Sequence, residues 1–364
     1  MYKCHYISDS ELKIYQLKAK SLDNNKRAKL IYKQQSQHFT MLKQNLEKLK
    51  KQKVKRLVIE NVDIRLVLNP TRKASIEADT FLNKQKVEIC RLCNLPEDQR
   101  GFGILDDRYF VIPNPGITMR GDLTITSTRH QTQEISDNFR DMLQIARDLY
   151  DYSIYFNGPL AGASIPHLHF QAGLEKQLPG EKQIFSLMNG NYNSIKLLNI
   201  IKFENVVLVK VLNFLRECYI LSGTDINELS RVFYIFMRKL KVINKNFTPR
   251  QHIQNFGEYI PALGKNEDEP RLNIMVNWDN RENRYIIAIF PKRSNRPVVY
   301  YDNKNQIMLG MGIKESLGNL ITFRQKDFEL LKNSPSEITN AYKDTSITKE
   351  QSDTLSKMLE DVKI

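Results

Sequence analysis

The sequence reads as an α+β protein with mainly antiparallel sheet, and three observations lead to that reading. Short β-branched and aromatic runs mix with longer segments of helical spacing, without the strict strand–helix–strand alternation of a parallel sheet. Turn-forming stretches such as Glu60-Asn61-Val62-Asp63 separate neighbouring apolar runs as a hairpin does. A chain of 364 residues, 41% of them apolar, can also build a sizeable core, in one enlarged domain or about two.

Residues 10–52 are polar and rich in Lys and Gln, with Leu12, Tyr15 and Leu17, then Leu30, Tyr32, Phe39, Leu42 and Leu46 at helix-compatible spacings. Residues 1–55 are therefore expected to form a helical N-terminal extension. From Arg56 the texture changes. Leu57-Val58-Ile59 and Ile64-Arg65-Leu66-Val67-Leu68 predict a hairpin, and further strands are predicted at Tyr109-Phe110-Val111-Ile112, Leu123-Thr124-Ile125-Thr126 and Tyr152-Ser153-Ile154-Tyr155-Phe156. Between the last two, Ile135, Phe139, Met142, Leu143, Ile145, Ala146 and Leu149 recur every three or four residues. That spacing predicts a helix over 133–150 with Ser136 and Asp137 near its start. Residues 56–173 form one half, the one that carries the chemistry discussed below. Past Gly173 the polar stretch 174–190 is the best candidate boundary. Strands are then predicted over 194–201 and 206–211, a helix over 227–243, and a hairpin from 272–277 and 285–290 around Trp278-Asp279-Asn280-Arg281-Glu282-Asn283. Residues 174–323 thus read as a second α+β half that completes the fold, and 324–364 as a helical C-terminal tail. No repeat of useful period is visible.

Composition excludes several classes. Fifteen Gly and thirteen Pro are too few for a collagenous or low-complexity chain, and four Cys are not a disulfide scaffold, so a reducing cytoplasm is expected. Met1-Tyr2-Lys3-Cys4-His5 opens no apolar signal region, and no apolar run is long enough to span a membrane. The net charge of +14 is drawn largely from residues 18–56. Such a surplus attracts nucleic acid, attracts nucleotides and phosphorylated metabolites equally well, or simply faces water.

The most informative stretch is Asn157-Gly158-Pro159-Leu160-Ala161-Gly162-Ala163-Ser164-Ile165-Pro166-His167-Leu168-His169-Phe170-Gln171. Its small-residue loop lets backbone N–H groups approach phosphate oxygens closely. His167, His169 and Gln171 are spaced by two, so on a strand they share one face while Leu168 and Phe170 point to the core. An imidazole nitrogen can attack phosphorus and leave again, and an amide can donate to the oxyanion that builds up there. After a later strand, Lys292, Arg293 and Arg296 form a basic cluster that can neutralise a diphosphate or stand in water.

This stretch resembles the His-x-His-x-Gln signature of the histidine-triad superfamily. The similarity is to its transferase branch, which holds galactose-1-phosphate uridylyltransferase, diadenosine tetraphosphate phosphorylase and the GDP-sugar phosphorylases. Asn157-Gly158-Pro159 with Gly162-Ala163-Ser164 is similar to the phosphate loop of the diadenosine tetraphosphate enzymes. His167-Leu168-His169-Phe170-Gln171-Ala172 is similar to the GDP-hexose phosphorylases. Residues 63–173, and the segment from Pro291-Lys292-Arg293 to Pro297, resemble a bacterial family related to these. The resemblance implies a histidine-triad-like fold with packed helices, His169 as the nucleophile that takes the nucleoside monophosphate, and Gln171 beside it. It implies substrate contacts from the loop residues Asn157, Gly158, Gly162, Ala163 and Ser164, from Arg72 in Asn69-Pro70-Thr71-Arg72, and from Asn114. Arg72 equally suits a surface turn, and Asn114, between two prolines, an ordinary one.

Cys90-Arg91-Leu92-Cys93 can hold one side of a tetrahedral zinc, with His130 and His167 as the candidates for the other two positions. Carried over from the uridylyltransferase pattern, the resemblance implies a structural zinc on Cys90, Cys93, His130 and His167; two buried thiols beside a turn are the alternative. No organic cofactor is expected.

The function expected is that of a nucleotidyltransferase or phosphorylase acting on a nucleoside-diphosphate sugar, GDP-hexose by preference, through a nucleotidyl-histidine intermediate that releases sugar 1-phosphate. The alternatives are a phosphorylase of dinucleoside polyphosphates and a nucleotide- or RNA-binding protein without catalysis. Nucleic acid and membrane are not the expected partners, and the resemblance is compatible with a homodimer.

Overall fold

One ten-stranded sheet runs through the protein, and every neighbouring pair in it is antiparallel. The computed structural model describes residues 4–14, 22–73, 76, 90–191, 195–203, 205–244 and 269–362. Tyr15, Leu17 and Ser194 of the expected elements lie outside these residues. Across the sheet the order is β3 (Phe102–Ile104), β4 (Tyr109–Pro113), β5 (Leu123–Ser127), β7 (His169–Leu174), β6 (Tyr152–Asn157), β11 (Leu272–Asp279), β12 (Arg284–Pro291), β10 (Cys218–Gly223), β9 (Val206–Leu212) and β8 (Lys196–Lys202). The order contains one five-strand pattern twice: β3-β4-β5-β7-β6 and, read from the other edge, β8-β9-β10-β12-β11. A helix follows the third strand of each half, α4 (Phe139–Asp148) in the first and α6 (Ile226–Asn244) in the second. The halves meet where β6 pairs with β11, from Ile154 opposite Val276 to Asn157 opposite Asn273.

Period-two alternation divides the apolar residues of this sheet between two cores. In β11 and β12, Ile274, Val276, Ile287 and Ile289 belong to one core, whereas Met275, Ile286, Ala288 and Phe290 belong to the other. Strands buried on both faces read as continuous apolar runs, which is why β12 shows no polar alternation from Tyr285 to Phe290. The first core is covered by α2 (Asn24–His38), α4, α6 and α10 (Lys349–Glu360), with Phe139 of α4 stacked on Phe233 of α6 at 3.7 Å. The second is covered by a small sheet and by α5 (Pro179–Met188), α8 (Gln325–Asn333) and α9 (Pro335–Thr345). In the small sheet, β1 (Lys53–Ile59) pairs antiparallel with β2 (Val62–Leu68), and β2 pairs parallel with β13 (Asn319–Thr322). Exposed Lys53, Lys55 and Arg56 mark its free edge, a composition that discourages pairing with another chain.

Several local details differ from the sequence reading. The first hairpin turns over two residues, Glu60 and Asn61, both at positive φ, rather than four. Helix α4 begins at Phe139, because the preceding backbone is held elsewhere: the N–H groups of Ile135 and Ser136 both donate to Glu269. The stretch 174–190 contains α5, whose Ile184, Phe185 and Leu187 are buried. The N-terminal extension contains α1 (Asp9–Lys13), α2 and α3 (Thr40–Leu49), and the first two place Leu12, Ala28 and Ile31 in the first core. No helix among the described residues is long and apolar enough to cross a membrane.

Glu181 of α5 is fully buried beneath the sheet, where Ser153 Oγ donates to its carboxyl and the Leu178 N–H donates at 3.2 Å. Burial pushes the acid from 4.5 up to about 7. The folded protein therefore keeps a proton there that the unfolded chain has lost, and stability declines as pH rises from about 5 to 7. Glu181→Gln is expected to remove this share of the decline, leaving the variant on the order of 3 kcal/mol more stable than the parent above pH 7 and little changed at pH 4. Chemical denaturation at the two pH values checks it; equal differences at both would refute it.

Candidate active site

Strand β7 begins at His169 and lies between β5 and β6, with Thr126 opposite His169 on one side and Tyr155 opposite Gln171 on the other. Leu168, Phe170 and Ala172 are buried in the first core, so His169 and Gln171 face the opposite side of the sheet. His167 precedes the strand, whereas the sequence reading placed all three polar residues within one. The His169 Nδ1–H donates to the His167 carbonyl at 2.8 Å. A carbonyl can only accept, so the proton sits on Nδ1 and the lone pair on Nε2. Burial holds the imidazole below its ordinary value, which favours the neutral, nucleophilic form. The residue is buried.

The small-residue loop leaves β6 at Asn157 and folds over itself. The Gly158 N–H donates to the Leu272 carbonyl at 3.0 Å, and the N–H groups of Ala161 and Ala163 both turn back to the Gly158 carbonyl. Gly162 has φ +121°, open only to glycine, and a Cβ there would stand 2.9 Å from Gly312 Cα. The loop thus abuts the segment that opens α7 (Ile313–Ser316), and Asn157 Oδ1 accepts from the Ile313 N–H at 2.7 Å.

A pocket lies between these two segments, lined by Asn157, Gly162, Ala163, Ser164 and Gln171 on one wall and by 310–315 on the other. Among its described lining residues are three cations, Arg72, Arg296 and Lys314, and one carboxyl, Glu315. Arg72 Nη1 donates to the Gly116 carbonyl at 2.9 Å, and Arg296 Nη1 donates to the Ile76 carbonyl at 2.6 Å. Lys314 Nζ donates to Asp122 Oδ2 at 2.8 Å and to Thr118 Oγ1 at 2.7 Å in a buried pair. Burial raises the Glu315 carboxyl, moving it towards its neutral form.

Of the residues singled out in the sequence, Arg72, Asn157, Gly162, Ala163, Ser164 and Gln171 come together at this pocket. Asn114, Gly158, His169, Lys292 and Arg293 are not among its lining, although Gln171, on the same strand face as His169, is. Asn114 Oδ1 accepts from the Gly116 N–H at 2.9 Å, inside its own turn. Lys292 is buried, its amine pushed down to about 7 by desolvation, with Glu315 opposing the shift. Arg293 donates to the Lys343 and Asp344 carbonyls at the end of α9. Lys314, Glu315, Asp122 and Thr118 escaped the sequence reading, since a Lys-Glu pair in a polar stretch reads as solvated surface. The flanking Gly310-Met311-Gly312 was the one available signal of a close approach there.

Cys90, Cys93, His130 and His167 converge at the start of β7, with their ligand atoms all within 4.8 Å of one another. Cys93 Sγ lies 3.1 Å from His130 Nδ1 and 3.3 Å from His167 Nδ1, and Cys90 Sγ lies 3.4 Å from His167 Nδ1. Ligands bound tetrahedrally to one zinc stand roughly 3.3–3.8 Å apart. The His167 Nε2–H donates to the Ser127 carbonyl at 2.9 Å, which leaves Nδ1 with its lone pair toward the thiols. Burial and the neighbouring Cys90 hold the Cys93 thiol up at about 11, a cost that a cation between the sulfurs reverses. The donor set therefore suits Zn2+.

The comparisons with known proteins agree with this architecture. A family model described as "Domain of unknown function (DUF4922)" matches residues 31–174. No curated protein matches the sequence. Among solved structures, yeast Ap4A phosphorylase Apa2 superposes with TM-score 0.56 at 12% identity, covering 87% of this chain and 97% of that one. Its AMP complex gives 0.56 at 13% identity, with 87% and 96% covered, and its Ap4A complex 0.55 at 12%, with 90% and 98%. The chain thus has a histidine-triad-like α+β fold.

Native mass spectrometry is expected to find one zinc per chain, and Cys93→Ser to lose it together with several degrees of thermal stability. Absence of zinc from metal-supplemented wild-type protein would contradict this donor set.

Proposed function

We propose that this protein is a nucleotide phosphorylase that acts on dinucleoside polyphosphates through a nucleotidyl-histidine intermediate. The observation that carries the reading is the His169 imidazole, whose Nδ1–H is tied to the His167 carbonyl so that Nε2 is the reactive atom, on the strand that brings Gln171 to a glycine loop and a cationic pocket. In the first step His169 Nε2 forms a bond to the α-phosphorus, and the bond from that phosphorus to the bridging oxygen breaks. The nucleoside polyphosphate leaves. In the second step an oxygen of inorganic phosphate attacks the same phosphorus, the N–P bond breaks, and a nucleoside diphosphate departs with the imidazole restored. Gln171, on the same strand face, donates to the non-bridging oxygens as charge builds there. Arg72, Arg296 and Lys314 offset the charge of the polyphosphate chain.

The sequence favours GDP-hexose as substrate, and the same nucleophile would serve it. Two considerations put the dinucleotide first. The likeness to an Ap4A phosphorylase extends over nearly the whole of both chains, and structures of that protein hold AMP and Ap4A. In addition, three cations around one pocket suit a chain of several phosphates. Zinc on Cys90, Cys93, His130 and His167 would serve to hold the start of β7 in place, taking no part in the transfer.

Incubation with Ap4A labelled at the α-phosphorus, without phosphate, is expected to leave acid-labile label on His169 that added phosphate releases as ADP. His169→Asn should abolish labelling and lower turnover by about three orders of magnitude or more, with the fold intact. Labelling by GDP-glucose in place of Ap4A would return the substrate to the nucleotide sugars. Full activity in the His169→Asn variant would end the proposal.

A further inference from the structure

We infer that Gln133 is a positioning residue for the nucleophile, its side-chain amide standing in for a backbone hydrogen-bonded pair between β6 and β7 at His169. The inference rests on His169 being the nucleophile. It begins with the register of the two strands. Tyr152 lies opposite Leu174, Ser153 opposite Gly173, Ile154 opposite Ala172 and Tyr155 opposite Gln171, where the ladder stops. In an antiparallel ladder the bonded pairs come at every second residue. The Glu175 N–H donates to the Asp151 carbonyl, so the odd-numbered residues of β6 are the bonded ones, and the next pair would be Asn157 with His169.

That pair is not closed directly. The His169 N–H donates to Gln133 Oε1 at 2.8 Å, and Gln133 Nε2 donates to the His169 carbonyl at 3.1 Å and to the Asn157 carbonyl at 3.0 Å. Gln133 is fully buried, so water does not compete for these groups. One amide thus satisfies three backbone groups that the separated strands leave without each other. The separation has a use. Asn157 is where the phosphate loop departs and His169 is where the chain returns, and the width between them sets how the loop faces the nucleophile.

The glutamine is itself held in place. Two residues before it, the Gln131 carbonyl accepts from the Leu168 N–H at 2.9 Å, so the segment carrying Gln133 is laced to the backbone next to His169. With N–H and C=O engaged by Gln133 and Nδ1 by the His167 carbonyl, the only polar atom of His169 not directed by the protein in these bonds is Nε2. Two donors and one acceptor at this reach require a glutamine. Asparagine is one methylene shorter, glutamate cannot donate, and methionine can do neither.

The test compares full-length wild type with Gln133→Glu and Gln133→Met. It uses single-turnover labelling of His169 by α-labelled Ap4A, steady-state kinetics, and 15N NMR of the histidine rings. Positioning predicts that the labelling rate per folded molecule falls about 10–100-fold in both variants while KM stays within about threefold. The His169 15N signals should also move away from the single Nδ1–H tautomer. A lowered melting temperature with labelling rate and 15N signals unchanged would reduce Gln133 to a stabilising residue and overturn the inference. If Gln133→Met does not accumulate, Gln133→Glu, which keeps the volume and one acceptor, decides alone. Should wild type itself take no label, the nucleophile reading fails, and the 15N signals still report whether Gln133 sets the His169 ring.

Discussion

The hydrogen bond from the His169 Nδ1–H to the His167 carbonyl ties together the features that surround it. It selects the tautomer, leaves the lone pair on Nε2, and makes the orientation of His169 depend on that of His167. His167 is in turn fixed through its own ring, with Nε2 on the Ser127 carbonyl and Nδ1 toward two thiols. The anchor for both is apolar. Leu168 and Phe170 are fully buried in the first core, and rotating either histidine out of place would require lifting them into water. A residue alternation as simple as polar–apolar–polar–apolar therefore carries the reactive groups and the means of holding them.

The pocket that Gln171 lines is assembled from parts far apart in the chain. Gly162 meets Gly312, and Asn157 binds the Ile313 N–H, so the loop that follows β6 is braced by a segment about 150 residues later. That segment is braced from behind. The Tyr342 hydroxyl of α9 donates to the Glu315 carbonyl at 2.7 Å, and the buried Arg216 donates through Nε to the Ser316 carbonyl at 2.7 Å. The C-terminal helices thus support the second wall of the site. Removing cations from water costs several kcal/mol each, which the Lys314–Asp122 pair offsets for one of them.

The repeated five-strand pattern bears on how the site is distributed. Both halves have the same strand order, yet only the first carries histidines at the strand next to the junction; the matching strand of the second, β12, runs Arg284-Tyr285-Ile286-Ile287-Ala288-Ile289-Phe290-Pro291. Its residues fill the two cores. One half carries the histidine motif, and the strands of the other pair with it across β6 and β11. No repeat is visible between the two sequences, because a buried strand constrains only apolar character and size.

The strands and helices were largely legible in the chain because they obey local rules. Asn and Asp in turns, period-two runs and helical spacing placed β4, β5, β6, β9, β11, β12 and α6 within a residue or two. The His167-to-Gln171 motif was legible because its spacing is itself geometric. Strands β3, β10 and β13 were not, since a few apolar residues interrupted by Gly, Ser or Asn look alike in strand, helix or loop. Nor were Gln133, Lys314, Glu315 and Asp122, whose side chains take their roles from partners remote in sequence, and for which no local pattern differs from that of solvated surface. What the amino acids dictate alone is the α+β class and the histidine-bearing strand, because both follow from alternation along a few residues. Tertiary structure decided which charges surround that strand and which amide holds it, because desolvation and hydrogen-bond geometry exist only once distant segments meet.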